Sequence, residues 1–357
     1  MTSLPLHQYL EGLGARFAEV NGMEVAQHFG DPLAEYAALC ESAGVLDLSF
    51  RGRLCLAGTE RKRFLHGQVT NNVNDLTPGQ GCYAALTTAK GKMQSDLNIY
   101  CLPDELLLDF EPGLSATVIP RLEKYIIADD VQVADMADQY GMLSVQGPKA
   151  ESIITNAGLG LEMPASAFSF TSAKDSAGNE VYCMNQPRGR STGFDLFVPA
   201  LQLEQTAAKL LGSARNAGGR ACGWQALEMV RIEAGIPRFG ADMDETNLPP
   251  ETGIENRAIS YSKGCYIGQE VIARIRTYGQ VSKTLRRLTL AGDLKELPKK
   301  GDKLFHDGKE AGYITSALAS PAFKANIALG YVRREYQQPG TELILHSAGG
   351  ESLAKVG

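Results

Sequence analysis

One short segment combines side chains that could do chemistry. The run "YSKGCYIGQEVIAR", residues 261–274, places Cys265 two residues after Lys263. A thiol acts as a nucleophile or a metal ligand in its thiolate form, and a nearby cation or a helix N-terminus lowers its pKa. The apolar spacing of "IGQEVIARI" is typical of a helix, so Cys265 is predicted to precede a first helical turn. The segment therefore predicts an accessible, activated thiol.

A packing role explains the same residues. Gly264 and Gly268 let the backbone turn tightly or approach another group closely. Glu270 and Arg274 are four residues apart and can form a surface ion pair worth under about 1 kcal/mol. No second cysteine and no histidine is near in the sequence, so neither a dithiol nor a Cys–His pair follows from local spacing. The local pattern leaves both interpretations open.

The same region is basic. Residues 263–287 contain six Lys and Arg residues and a single acid, Glu270, in a chain whose net charge is -6. A local basic segment in an acidic protein favours an anionic ligand or partner, and a solvated surface is an equally good explanation. The overall charge argues against a general nucleic-acid binder. An RNA-modification partner is therefore the weakest of the functions considered.

Composition sets the broad class. A length of 357 residues predicts two or three domains, and 44% apolar with 21% charged residues is typical of a soluble globular protein. No apolar run approaches 18 residues, which predicts no membrane span, and the N-terminus has no signal-peptide pattern. Seven scattered cysteines without a CxxC favour reduced thiols and a cytoplasmic location. The five histidines never reach metal-ligand spacing, so no metal site is predicted.

Two kinds of region must position these residues. Residues 1–281 mix helical and strand patterns without strict alternation, which predicts an α+β region of two interleaved domains. From residue 282 to 357, short strands alternate with Gly, Pro and Asp turns, which predicts a separate all-β barrel. A long polar loop, residues 237–262, precedes the thiol segment. A loop of this length inside a compact protein is more often functional than a spacer.

The segment "KGCYIGQEVIAR" strongly resembles the signature of the YgfZ family of folate-binding iron–sulfur cluster assembly and repair proteins. That signature is K-G-C-aromatic-x-G-Q-E followed by a basic residue, and it is matched from Lys263 to Arg274. A wider resemblance covers most of the chain, in the order "LDLSFRGRLCLAG", "YAALTTAKGKMQSDLNIY", "GFDLFVP" and "VRIEAGIPRFGADM". It is to the aminomethyltransferase superfamily, whose founding member is the glycine cleavage T-protein. The resemblance implies three domains around a central folate channel.

The resemblance also implies a cofactor and its contacts. Tetrahydrofolate, or a derivative, is expected in the cleft between the α+β domains. Asp96 falls at the position of one-carbon chemistry, where a carboxylate can handle a proton. Arg231 and Glu233, in "VRIEAG", are expected to face the folate. Lys263 and Arg274 belong to the basic segment that is expected to flank the same cleft.

The chain departs from the transferase pattern at several of these positions. The transferases have an Asp-Asp pair where this chain has Ser95 and Asp96, so one carboxylate remains. The transferase pattern D-x-S-H-M-G becomes "DLSFRG", without its His and Met. The Gly-Glu that helps to hold the pterin is replaced within "RSTGFDLF". These changes weaken the prediction of aminomethyl transfer. The presence of Cys265 does not support it either, because methylene transfer does not need a thiol.

Two functions are therefore predicted. The first is a tetrahydrofolate-binding accessory protein that supports assembly or repair of iron–sulfur enzymes. Cys265 would then contact a client or carrier protein transiently, since one cysteine cannot hold a four-iron cluster. The alternative is an enzyme that moves a one-carbon unit from a small amine to tetrahydrofolate, with Asp96 at the reacting site. Measured turnover of tetrahydrofolate separates the two.

Overall fold

A computed structural model describes residues 2–174 and 178–357. Its helices are α1 His7–Gly12, α2 Pro32–Glu41, α3 Arg61–Gln68, α4 Ser115–Glu123, α5 Ala150–Asn156, α6 Leu203–Asn216, α7 Trp224–Ala234, α8 Glu255–Ala258 and α9 Gln269–Tyr278. Its strands are β1 Arg16–Val20, β2 Met23–His28, β3 Gly44–Asp47, β4 Gly52–Ala57, β5 Gln80–Thr87, β6 Met93–Cys101, β7 Leu106–Phe110, β8 Gln132–Asp135, β9 Tyr140–Gln146, β10 Phe170–Lys174, β11 Glu180–Asn185, β12 Gly193–Pro199, β13 Arg220–Ala221, β14 Lys283–Leu290, β15 Lys303–His306, β16 Lys309–Ser320, β17 Ala325–Arg333, β18 Glu342–Ser347 and β19 Gly350–Val356.

The chain passes repeatedly between two sheets before it reaches the barrel. One sheet has six strands in the order β10-β11-β12-β9-β3-β13, and the other has five in the order β5-β6-β7-β4-β8. Strand β3 lies in the first sheet and β4, only a few residues later, lies in the second. Each sheet has its own buried apolar cluster, with Leu143 and Leu196 in one and Leu97 and Leu108 in the other. Neither sheet is assembled from one continuous stretch of sequence.

The C-terminal strands form a closed barrel in the order β14-β17-β16-β15-β18-β19. Alternate residues point inwards along these strands, and Leu288, Leu304 and Leu345 belong to the barrel core. The predicted α+β architecture with a C-terminal all-β barrel is confirmed. Within the described residues, no helix is both long enough and apolar enough to cross a membrane.

Two glycines set the ends of the helices that matter for the site. Helix α7 ends where Gly235 adopts a left-handed conformation, with φ of 71°, which glycine reaches without a Cβ penalty. Helix α9 begins after Gly268, which is also left-handed, with φ of 89°. A fourth apolar cluster includes Tyr266 and Ile272 together with Met93 of β6. The thiol segment is therefore packed on the hairpin that carries Asp96.

Candidate functional site

A cavity with about 660 Å³ of space, part of it open to solvent, lies beside α7, β6 and the loop that follows α7. Its wall combines aromatic, cationic and acidic side chains. The aromatic residues are Tyr83, Phe168 and Trp224. The cations are Arg51, Arg188, Arg231, Arg238 and Arg257, and the carboxylates are Asp96, Glu111 and Glu228. A concave site with a few convergent polar groups among flat apolar surfaces is the usual form of a small-molecule site.

Asp96 lines this cavity from β6. Its Oδ2 accepts a hydrogen bond from the Tyr83 hydroxyl at 2.7 Å, across the antiparallel β5–β6 pair. Its Oδ1 is buried and has no hydrogen-bond partner among the described residues. Burial, followed by the negative charge of Glu111, raises the pKa of Asp96 to about 6. A carboxyl group with this pKa changes its protonation state slightly below neutral pH.

Glu111 supplies a second carboxylate that the sequence analysis missed. It follows β7, which pairs antiparallel with β6 so that Asn98 lies opposite Asp109. Extending that register by two residues on each strand puts Glu111 opposite Asp96. This second carboxylate comes from a different part of the chain and not from the residue beside Asp96, which is Ser95. Its only sequence signal is the pair of acids at alternate positions in "LLLDFE", because acids are unusual at the end of so apolar a strand.

Buried ion pairs hold two arginines that line the cavity, Arg51 and Arg188. Arg51 donates to Asp109 at 2.6 Å and to Glu111. Arg188 contacts Asp109 at 3.4 Å and Asp195 at 2.8 Å. Burial raises the pKa of Asp109, but Arg51 and Arg188 outweigh it and hold the value below its ordinary range. Arg51 stands where the transferase pattern has Met, and the acids around it compensate its charge.

Arg231 lies on the wall of the cavity, but its guanidinium is occupied. It donates to Glu228 at 2.7 Å, to Asp242 and to the Ser316 hydroxyl at 3.1 Å. Asp242 in turn accepts from Thr315 at 2.6 Å, so the network ties α7 to the barrel. Burial lowers the pKa of Arg231, but the two carboxylates more than reverse that effect and raise it. The main role of Arg231 is therefore structural: it connects α7 to the C-terminal barrel.

Arg238 and Trp224 form another part of the wall. The Arg238 guanidinium lies 4.9 Å from the centre of the Trp224 ring and donates to Glu228 at 3.2 Å. Arg257, which is exposed, stacks at 5.1 Å over the Tyr83 ring. Each arginine thus extends an aromatic surface with a positive charge. Such a wall suits a flat polar ring that carries an anionic tail.

Glu233 does not line this cavity, contrary to the expectation that it faces the same ligand as Arg231. Residues two apart on a helix are separated by about 200°, so the two side chains leave α7 on different sides. The Glu233 carboxylate is buried and accepts hydrogen bonds from Tyr36 at 2.7 Å and from Ser320. It joins α2 and α7 to the barrel in a separate, smaller pocket that also contains Cys40.

Lys263 is buried and does not line the cavity. Its amine donates to the carbonyl oxygens of Val69 at 2.6 Å and Asn71 at 2.9 Å, and to that of His66. Burial lowers the pKa of Lys263 to about 7, whereas three carbonyl acceptors favour the charged amine. All three donors of the amine are used to hold the loop after α3. The predicted role of Lys263 as a ligand cation is replaced by this structural one.

Cys265 is exposed, in the irregular segment that precedes α9. It lies four residues before Gln269, the first residue of the helix, rather than directly at the helix N-terminus. A side chain built at the neighbouring Gly264 would lie 3.8 Å from Nε2 of His66. The fold thus brings a histidine close to the thiol segment, which local spacing could not reveal. Cys265 is not among the residues that line the cavity.

The thiol segment is attached to the Asp96 hairpin by a side-chain hydrogen bond and by close packing at Gly268. Thr87 donates its hydroxyl hydrogen to the carbonyl of Ile267 at 2.6 Å. A Cβ at Gly268 would lie 2.5 Å from the carbonyl oxygen of Thr88, so only glycine fits there. Arg274 is exposed and pairs with Glu270 at 2.8 Å, away from the cavity wall. Of the site residues predicted from the sequence, two line the cavity (Asp96 and Arg231), two lie at the surface (Cys265 and Arg274), and two are buried elsewhere (Glu233 and Lys263).

Comparisons with known proteins agree with this architecture. The family model described as the GCVT N-terminal domain matches residues 6–263, and that described as the glycine cleavage T-protein C-terminal barrel domain matches residues 283–357. An aminomethyltransferase of Halalkalibacterium halodurans is 28% identical over 99% of this chain and 95% of its own. An aminomethyltransferase of Bacillus subtilis is 26% identical over 94% and 92%. A crystal structure of glycine cleavage system aminomethyltransferase T from Bartonella henselae matches with a TM-score of 0.90 at 22% identity, over 99% of this chain and 96% of that one.

Proposed function

We propose a function from one premise: the chain belongs to the glycine cleavage T-protein family. Its cavity is proposed to bind tetrahydrofolate. The observation that carries this proposal is the pair of buried carboxylate oxygens, Asp96 Oδ1 and Glu111 Oε2, which lack hydrogen-bond partners in the described structure and belong to residues of one cavity. Unpartnered buried acceptors require donors, and the pteridine ring of a folate carries several N–H groups.

The rest of the cavity suits the rest of that molecule. Trp224 and Tyr83 offer flat surfaces to a planar ring. Arg238 and Arg257, stacked on those rings, offer positive charge to a carboxylate tail. When bound, tetrahydrofolate would accept a one-carbon unit from an amine. Asp96, with a pKa of about 6, is ionised at neutral pH and can take up a proton at Oδ1.

One use of bound folate is transfer of a one-carbon unit from an aminomethyl donor. The names of the relatives and the position of Asp96 in the cavity support this function. Its test is anaerobic incubation of the protein with tetrahydrofolate and candidate aminomethyl donors, with methylene-tetrahydrofolate and ammonia measured together. We expect the wild-type protein to form both products and the Asp96→Asn variant to form neither. If the wild-type protein binds tetrahydrofolate but never forms either product, this use is rejected and the folate site stands.

A second candidate is support of iron–sulfur enzymes in the cytoplasm, as in the YgfZ family. The observation that favours it is the exposed Cys265 on a segment packed against the Asp96 hairpin. A thiol at the surface can meet a client or carrier protein transiently, whereas the cavity cannot admit one. The test is a deletion strain assayed for several iron–sulfur enzyme activities. Wild-type protein should restore them and Cys265→Ser should not, with Cys40→Ser, the other exposed thiol, as the matched control.

A further inference from the structure

Glu111 has more bonding capacity than the ion pairs around it use. Its Oε1 accepts from Arg51. Its Oε2 is buried without a hydrogen bond among the described residues, and Nη1 of Arg238 lies 3.6 Å away from it. That distance allows electrostatic attraction but exceeds the range of a hydrogen bond. An ionised carboxylate has about four acceptor sites, so Glu111 retains acceptors for a ligand.

Pairing with Arg51 alone does not account for this carboxylate. Asp109 already holds Arg51 through two contacts, from Nε at 2.6 Å and from Nη2 at 3.2 Å. Placing a second acid here puts Glu111 opposite Asp96, and carboxylates opposite each other on paired strands repel. Burial is the main cause of the raised pKa of Asp96, and the charge of Glu111 raises it further. A ligand that donates hydrogen to both acids would remove the repulsion.

We propose that Glu111 recognises the pteridine ring by accepting hydrogen bonds from its 2-amino group and from the adjacent ring N–H. The two donors lie side by side on one edge of the ring. Glu111 can accept one of them at Oε2, which has no hydrogen bond, and the other at Oε1, which accepts from Arg51 and keeps a second lone pair. Asp96, whose Oδ2 is engaged by Tyr83, is left to a ring nitrogen elsewhere on the ligand. Glu111 thereby sets specificity for 2-amino-4-oxopteridines. The inference rests on the proposed folate site.

The chemical consequence is discrimination at one atom of the ligand. A ring with a 2-oxo group in place of the 2-amino group presents an acceptor to Glu111 Oε2. Two acceptors without a hydrogen between them repel, and the buried carboxylate remains unpaired. In Glu111→Gln, the side-chain carbonyl can still accept from Arg51, and the new amide becomes a donor where Oε2 stood. That change removes the preference for the 2-amino group without removing volume from the cavity wall.

The test is anaerobic titration calorimetry with tetrahydrofolate and with its 2-deamino-2-oxo counterpart. The wild-type protein should bind tetrahydrofolate at least tenfold more tightly than the counterpart. Glu111→Gln should weaken tetrahydrofolate binding at least tenfold and bring the ratio of the two affinities close to one. Asp96→Asn is the matched control, because it makes the same carboxylate-to-amide change in the same cavity and should leave the ratio near its wild-type value.

Each other outcome overturns a separate statement. If Glu111→Gln weakens both ligands equally, Glu111 merely supports Arg51 and the inference is wrong. If Asp96→Asn, rather than Glu111→Gln, abolishes the preference, Asp96 is the residue that contacts the amino group. If the wild-type protein binds both ligands equally, the 2-amino group is not recognised, although the folate site stands. If the wild-type protein binds neither ligand at millimolar concentration, the proposed folate site itself is rejected.

Discussion

Asp96 and Glu111 line one cavity, and the β6–β7 register, extended by two residues beyond Asn98 and Asp109, puts them opposite each other. Burial and the charge of Glu111 raise the pKa of Asp96 to about 6, above its ordinary value of 3.8. The folded protein therefore binds more protons at this site than the unfolded chain does between about pH 4 and pH 6. Linkage makes the free energy of unfolding fall as pH rises through that window.

Replacing Asp96 with Asn should remove this pH dependence. The stability of the variant relative to the wild type should increase between pH 4 and pH 7 by up to about 3 kcal/mol, the value of about two pKa units. Urea unfolding at a series of pH values measures it. Asp130→Asn is the control, because hydrogen bonds from Thr59 lower the pKa of the exposed Asp130 and confine its effect to lower pH. A difference between Asp96→Asn and wild type that stays constant from pH 4 to pH 7 would show that the pKa is not raised.

Arg231→Met should destabilise the protein strongly. The substitution leaves Asp242 buried without its ion-pair partner and detaches α7 from that part of the barrel. Breaking a buried ion pair from one side costs about 3–5 kcal/mol. Arg274→Met is the matched control, since Arg274 and Glu270 are 71% and 83% exposed and such a pair contributes about 0.3–0.5 kcal/mol. Guanidinium chloride unfolding measures the free energy of unfolding of both variants. Equal losses of stability would contradict the structural role of Arg231 between α7 and the barrel.

Gly268→Ala should be destabilising, whereas Gly279→Ala at the other end of α9 should be tolerated. At Gly268 a Cβ would lie 2.5 Å from the carbonyl oxygen of Thr88, and φ is 89°. The left-handed conformation alone costs about 1–2 kcal/mol for an alanine. At Gly279 the nearest atom to a new Cβ is 3.6 Å away and φ is -131°. Thermal unfolding of both variants measures the contrast, and a Gly268→Ala protein as stable as wild type would refute the close packing.

Cys265 should be alkylated faster than any other cysteine in the folded protein at neutral pH. Only Cys40 shares its exposure among the seven thiols, and partial burial raises the pKa of Cys40, which lowers its thiolate fraction. Iodoacetamide labelling followed by mass spectrometry gives the rate at each position. Cys183 and Cys222, which are buried, serve as slow references. If Cys40 reacts faster than Cys265, the prediction of an activated thiol at Cys265 is wrong.

The sequence alone determined the features that depend on short-range pattern. Apolar spacing predicted α9, and the change to short strands and turns after residue 281 predicted the barrel. The segment around Cys265 was found by its residue types, and Asp96 by the order of motifs along the chain. These predictions hold because hydrophobic period and turn chemistry act over a few residues, whatever the rest of the fold does.

Only the tertiary structure decided which side chains meet. Glu111 is a candidate ligand-binding residue because the extended β6–β7 register puts it opposite Asp96. Glu233 lies outside the cavity because its side chain leaves α7 on the side of the barrel, where it accepts from Ser320. Lys263 was predicted to hold an anionic ligand, yet its amine is used by carbonyl groups nearly 200 residues away in the chain. The topology of the chain determines which groups lie beside a charged side chain. When that side chain is buried it must be paired with one of them, since an unpaired buried charge costs too much free energy. The local sequence determines which chemical groups are present. Their contacts, and therefore their roles, are determined by how the two sheets, α7 and the barrel pack together.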